Sequence, residues 1–388
     1  MKKGIIPVFK REMQRMCSRP IYIMMTIVIP VVIIVFFATF LDKGVPSQLP
    51  IAVIDFDNTS SSRQIVRTIS SGQVCNVRYK LSSYETAKNK MQSGDIYAFV
   101  VIPRNFQRDV INGIQPEVVF YTEYAHYLAG SLIMRELSTT LATLSAGVNL
   151  KLRLAQGQNE NMAMSQIQPI RNDVHIIGNP TLDYSFYLSA IIMPGLIFLM
   201  TLICTIYAIG LELKFATSKR WLILADRSLL KALAGKLLPY TILFSFMEIF
   251  AHIVLEKMLG FPVNGNPVLL CLGSILTVLS YQAIGVFITG CLPVLRDALS
   301  IGAFYGVLGF TIAGFTYPNL AMLPAVQSYT LLYPLKYYYS LYCSIRINGL
   351  GFVDTWNIFL CLMAYIFLPL LIIIRLKKVA IKLNYSRD

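Results

Sequence analysis

Apolar and polar positions along this 388-residue chain fall into blocks rather than an even mixture. Six apolar runs, at 21–41, 186–209, 237–257, 267–290, 298–317 and 357–374, each come close to the ~20 residues with which an α-helix crosses a ~30 Å hydrocarbon layer. The pattern predicts an α-helical polytopic membrane protein. Pro30 and Pro194 fall inside runs, where neighbouring helices or water re-satisfy the freed backbone groups. The first run is longer than the ~7–15-residue apolar core of a signal peptide and lacks a clear small-x-small cleavage pattern, so it reads as a retained anchor.

The polar interval 42–185 has the size of one domain and a different rhythm. LPIAVIDFDN reads as an apolar strand ending in acids and a turn, and SSSRQIVRTISS as a helix with Ser60 or Ser61 as its cap. YETAKNKMQSGDIYAFVVIP repeats helix, glycine turn and strand, the strand running from Ile96 to Ile102. NFQRDVINGI is a short helix, EVVFYTE another strand, and residues 127–164 carry a long helical pattern. Strands alternating with helices predict a βαβ-type sheet.

A third pattern fills 318–356. It is too apolar for an ordinary exposed loop, yet Pro318, Pro324 and Pro334 break it and a tyrosine cluster (Tyr329, Tyr333, Tyr337, Tyr338, Tyr339, Tyr342) runs through it. Tyrosine is enriched at membrane interfaces, and non-helical backbone at membrane depth is tolerated only inside protein or along a watery cavity. The stretch therefore reads as re-entrant outer helices. The expected fold is six transmembrane helices plus those re-entrant helices, with an inserted α/β extracytoplasmic domain.

Composition agrees: 55 % of residues are hydrophobic and 14 % charged, against about 25 % charged in soluble domains. The net charge of +14 could suggest a nucleic-acid partner. The basic residues, however, flank the apolar runs instead of forming a stripe on one folded face, which argues against nucleic acid. Six crossings put both termini on one side. Segments 1–20, 210–236, 291–297 and 375–388 then share that side and hold 18 Lys and Arg against five acids, whereas 42–185 holds 13 against 12. This positive-inside bias predicts an inner-membrane, multi-pass protein with both termini cytoplasmic: an interface helix at 1–20, a connecting loop at 210–236 and a tail at 375–388.

Few residues offer chemistry. Six of the seven cysteines lie in or beside apolar runs and only Cys75 falls in the polar interval, so no disulfide or metal-ligand spacing is apparent. Gly235-Lys236 looks like the tail of a phosphate loop, but Leu230 and Leu237 stand where that motif needs Gly and Ser or Thr. No cofactor is expected on this chain. Asp55 and Asp57 could pair as catalytic carboxylates; in IDFDNTSSS they read better as turn-forming acids. His126, His175 and His252 are far apart, and no G-x-S-x-G elbow occurs, so an intramembrane or ectodomain enzyme has little support. Glu248, His252 and Glu256 recur at intervals of four on one face of the third span. Ionisable groups within a span are costly and are functional candidates by default; the bland alternative is a position at headgroup level. Glu248 and His252 are the candidate polar set of a translocation pathway.

Several stretches together resemble the membrane subunits of type-2 ABC transporters, the ABC-2 exporter permeases with a large domain between spans one and two. FKREMQRMCSRPIYIMMTIVIPVV is similar to the family's amphipathic entrance helix, Arg-Pro turn and first span. LPIAVIDFDNTSSSRQIV is similar to its ectodomain opening, and LELKFATSKRWLILADRSLLKALAGKLLPY occupies the place of its cytosolic coupling loop. GFTYPNLAMLPAVQSYTLLYPLKYYYSL carries its late signature: Gly314, Phe315 and Pro318, then Met322 and Pro324, Gln327, and Pro334 with Tyr337. The loop has Phe215-Ala216-Thr217 where the family often has Arg-Gly-Thr.

The resemblance implies a dimeric permease, paired with itself or a similar chain, driven by two separate ABC ATPase subunits and reaching outward to a periplasmic adaptor. It implies coupling to the ATPase through Glu212, Thr217, Trp221, Leu222 and Leu224, and an outer gate at the late signature residues. The rival reading is a polytopic receptor or assembly factor that acts through its extracytoplasmic domain without an ATPase.

Overall fold

The computed structural model describes residues 3–40, 44–169, 175, 178–179, 183–261 and 263–382. The chain divides into two compact units, Met1–Gly44 with Ile176–Asp388, and Val45–His175. Residues 41–43, and the end of the expected tail with Arg387, lie outside the described residues.

Helix α1 (Ile5–Ser18) buries Val8, Glu12 and Met16, one per turn along a single face. Arg19 is extended, as the residue before a proline must be, and Pro20 opens α2 (Pro20–Phe40) at the first helical position, where its missing N–H is no loss. A π turn at Met24–Val28 comes just before Pro30, which has no N–H to offer the carbonyl one turn back.

In the unit Val45–His175, strands β1 (Leu49–Asp55), β2 (Cys75–Leu81), β3 (Ala98–Ile102) and β4 (Val119–Thr122) form one sheet in the order β2-β1-β3-β4. β1 pairs parallel with β2 and β3, and β4 closes the edge antiparallel to β3. Central β1 buries Ile51, Ala52, Val53 and Ile54, so both of its faces are covered. Helices α3 (Ser60–Ser70) and α6 (Tyr127–Ala155) supply Ile65, Ile69, Ile133 and Leu137 to one face, and α4 (Tyr84–Gln92) supplies Ala87 to the other. Helix α5 (Phe106–Ile111) follows β3, and α7 (Glu160–Ile167) follows α6. The long helical pattern breaks at Gly157, whose φ of 81° ends α6. The cap of α3 is Thr59, not Ser60 or Ser61: its hydroxyl accepts from Ser62 N while Ser62 Oγ accepts from Thr59 N. Asp55 accepts from the backbone of Asp57 and Asn58 and from Ser62 Oγ, and Asp57 from Thr59 Oγ1 and Gln107 N. Both carboxylates thus fasten the turn. Glu136 accepts from Val74 N and Cys75 N at 2.8 Å each. Burial, joined by that carboxylate, pushes the Cys75 thiol well above its usual range.

The first unit resumes with α8 (Tyr184–Lys214), capped by Asp183, which accepts from Ser185 N at 2.7 Å. Then come α9 (Ser218–Leu224), α10 (Leu229–Lys257) and α11 (Pro267–Cys291). They are followed by α12 (Leu295–Ile312), α13 (Pro324–Thr330), α14 (Pro334–Tyr342) with its π turn Cys343–Ile347, and α15 (Phe352–Lys382). Six of these helices, α2, α8, α10, α11, α12 and α15, are long and apolar enough to cross a membrane. Helix α8 is central and packs against α2, α10, α11 and α12. Side chains at Gly302 or Gly306 would collide with Ile206 and Leu199, so these glycines let α12 lie close on α8.

Helix ends depart from the apolar runs because backbone bonding continues beyond the hydrophobic stretch. Helix α8 reaches Lys214, α10 starts at Leu229, and α15 covers Phe352–Lys382. The stretch expected as a loop at 210–236 is therefore the end of α8, all of α9 and the first turns of α10. Helix α12 does the reverse, stopping at Ile312 ahead of Gly314, whose φ is 98°.

Candidate functional site

The most concentrated chemistry lies where α1 meets the ends of α8 and α10. Gly235 makes the meeting close: an added Cβ would stand 2.6 Å from the Ile5 carbonyl oxygen and 2.9 Å from Val8 Cβ. The next residue, Lys236, is then brought against α1. Its Nζ lies 2.7 Å from Glu12 Oε2 and 3.0 Å from Glu212 Oε1. Glu212 also takes Arg11 at 3.0 Å, Arg15 at 2.5 Å, and the Thr217 hydroxyl. Tyr240 donates its hydroxyl to Glu12 Oε1 at 2.8 Å.

Glu12, Glu212 and Lys236 are at most 1 % exposed, so two carboxylates and one ammonium are taken fully out of solvent. Arg11 and Arg15 close the cluster from its half-buried edge. Burial works against the Arg15 charge, yet Glu212 and Glu12 hold the guanidinium above its ordinary value. A buried network of this kind is weak evidence for stability, since desolvation offsets much of the attraction, but loss of one member strands the others. What it does supply is a joint: α1, α8, the start of α9 and α10 are locked into one body.

Residues expected to couple to an ATPase sit in and around that joint. Glu212 and Thr217 belong to it. Trp221 is fully buried, donates Nε1–H to the Ala232 carbonyl at 3.1 Å, and has the Lys236 ammonium 5.5 Å from its ring. Leu222 is buried beside it and Leu224 half-buried. The apolar side chains that face outward here include Phe215 and Ile223, flanked by exposed Lys219 and Arg220. Ala216 has φ 54°, so the departure from Gly at this position keeps the left-handed turn and holds an alanine in it under strain.

Glu248 and His252 lie further along α10, both buried. His252 Nε2 is 3.0 Å from Ser274 Oγ and 3.2 Å from Tyr338 Oη, tying α10 to α11 and α14. One turn on, Glu256 pairs with Arg346 of the π turn. The structure therefore brings His252 and Glu256 into contacts with α11, α14 and the π turn, and leaves Glu248 apart from them. The late signature residues fall between α12 and α14. Gly314 makes the turn, with buried Phe315 accepting from Tyr187 Oη at 2.7 Å. Pro318 precedes a short 3-10 turn, and Gln327 donates to the Met322 carbonyl at 3.0 Å. Pro324 and Pro334 start helices α13 and α14 rather than breaking them, and the Tyr337 ring meets Tyr365 at 6.1 Å.

Sequence reasoning missed Glu12, Arg11, Arg15, Lys236 and Tyr240 as a group. One signal was present: Glu12 stands on the apolar stripe of α1, between Val8 and Met16.

Residues 20–375 match a family model described as ABC-2 family transporter protein. The inner membrane transport permease YhhJ of Escherichia coli K12 is 23 % identical over 342 residues, with 85 % of this chain and 85 % of that protein covered. The protein of the same name from Shigella flexneri has the same identity and coverage.

Proposed function

This chain belongs to the ABC-2 transporter family and is a transport permease subunit of the membrane, and on that premise we propose that it works as one of two permease chains of an exporter driven by separate ATPase subunits. The α1 end of the bundle, with the basic segments that flank the spans, is the cytoplasmic end. The unit Val45–His175 is extracytoplasmic and is the surface offered to a periplasmic adaptor. The observation that carries the reading is the buried charge cluster. A partner pressing on Phe215 and Ile223 pushes a body that already includes the ends of α8 and α10, so the push reaches the bundle as a tilt of whole helices rather than a local dent. The turn from Gly314 to Tyr337 is the outer gate, and Glu248 and His252 lie on the path between the two ends.

The test is association. Isolated from native membranes, the chain should bring an ATPase subunit with it, and its presence in lipid should raise that subunit's hydrolysis rate. Phe215→Asp with Ile223→Asp should abolish both while the chain still inserts. A chain that purifies alone, with no ATPase binding at α9, sinks the transporter reading in favour of a receptor or assembly factor.

A further inference from the structure

Glu248 is unlike every other buried charge in the bundle. Glu12, Glu212, Lys236 and Arg346 each have a partner of opposite charge. Glu248 is 0 % exposed and, among the described residues, neither of its carboxyl oxygens has a hydrogen-bond partner. One turn earlier on the same helix, the buried Ser245 hydroxyl is orphaned too. An ionised carboxylate with no partner in a dry interior is heavily penalised, so the closed bundle accommodates the neutral acid. Two adjacent orphaned polar groups on one helix face are what a binding site looks like without its ligand.

The surroundings narrow the ligand. A hard divalent cation wants about six or more oxygen donors and zinc about four His, Cys or carboxylate ligands, and no group of three His, Cys, Asp or Glu converges among the described residues. Aromatic faces are present instead. Phe198 stacks on Tyr281 at 5.6 Å between centroids and meets Tyr338 edge-on at 4.9 Å, all three buried, and Tyr338 reaches His252, one turn along α10 from Glu248, with its hydroxyl at 3.2 Å. One counter-charge among aromatic rings suits a diffuse organic cation. Other groups that can carry or share charge are His252 and Glu256 on α10, Tyr342 on α14, and Arg346, which is already held by Glu256.

We propose that Glu248 anchors a monovalent organic cation, a quaternary or protonated amine type with an apolar body, which enters as the carboxyl proton leaves. The proton passes to water, so one is released for each cation bound and no other reactant is needed. This deepens the pathway reading of Glu248 given above and rests on it.

The experiment uses the full chain in lipid nanodiscs and tetraphenylphosphonium as the probe. Wild type should bind it saturably, one per chain, releasing about one proton into weakly buffered medium. Below the pH at which the proton competes, affinity should fall about tenfold per pH unit. Glu248→Gln should bind at least about tenfold more weakly and release no proton, and Glu248→Asp should retain release. Thermal melting in the same nanodiscs establishes that each variant is folded. Undiminished binding by folded Glu248→Gln, binding without proton release by wild type, or no binding by wild type each overturns the proposal. ATPase association is read separately on the wild-type chain, so failure of the exporter reading and failure of the cation site are distinct results.

Discussion

Lys236 and Glu248 sit on the same helix, both inaccessible to solvent, and are built on opposite terms. Lys236 is satisfied twice over, by Glu12 and Glu212, in a cluster that Arg11, Arg15, Thr217 and Tyr240 complete. Glu248 has nothing. A buried charge that is fully paired is part of the frame, and removing it leaves its partners uncompensated. A buried carboxyl that is unpaired contributes nothing to the frame, and its cost is explained only by what it does. Burial alone does not tell these two charges on α10 apart; pairing does, and the unpaired one is the one proposed above to bind a ligand.

The contrast is open to direct attack. Lys236→Met should be the most damaging change, destabilising by about 3–5 kcal/mol because Glu12 and Glu212 stay buried with one cation fewer. The measurement is the melting midpoint in detergent. Adding Glu12→Gln should recover part of the loss, and a double-mutant cycle reads the coupling. Ala216→Gly should raise stability by about 1 kcal/mol by relieving the left-handed alanine; a loss instead would mean that the turn is held for another reason. Glu248→Gln should be the mildest in the same assay, within about 1 kcal/mol of wild type, since a neutral amide replaces a neutral acid of the same shape. If Glu248→Gln proved as damaging as Lys236→Met, the distinction between the two sites would collapse.

Hydrophobic runs located the six helices that, among the described residues, are long and apolar enough to cross a membrane, because a lipid-spanning helix must be apolar over most of its length and few other arrangements need that. Three strands of the polar interval, β1, β3 and β4, were legible as short apolar runs between helical stretches; β2 and the order β2-β1-β3-β4 were not, because CNVRYKL is an edge strand whose alternate positions are exposed polar residues. The charge cluster was not. Glu12 and Lys236 are 224 residues apart and Arg11 and Glu212 are 201 apart, so no local window holds both partners. Gly235-Lys236 was noticed for the wrong chemistry, as a defective phosphate loop. Its glycine gives the backbone of α1 room, and its lysine pairs with two carboxylates. The cap of α3 shows the same limit at short range: several adjacent hydroxyls compete in TSSS, and only the backbone turn at Asn58, with φ 52°, makes Thr59 the one that faces the helix.

That long separation also has a meaning in time. Helix α1 is made before α10, and the lysine that seats Glu12 follows it by 224 residues. At about 5–20 residues per second, synthesis takes about 10–45 s to get there. For that interval Glu12 and its neighbouring arginines belong to a helix with no finished place to go. The joint therefore cannot close before α10 has been made, and a nascent chain cut short ahead of it could pair Arg11 and Arg15 with Glu212 but would leave Glu12 without its lysine.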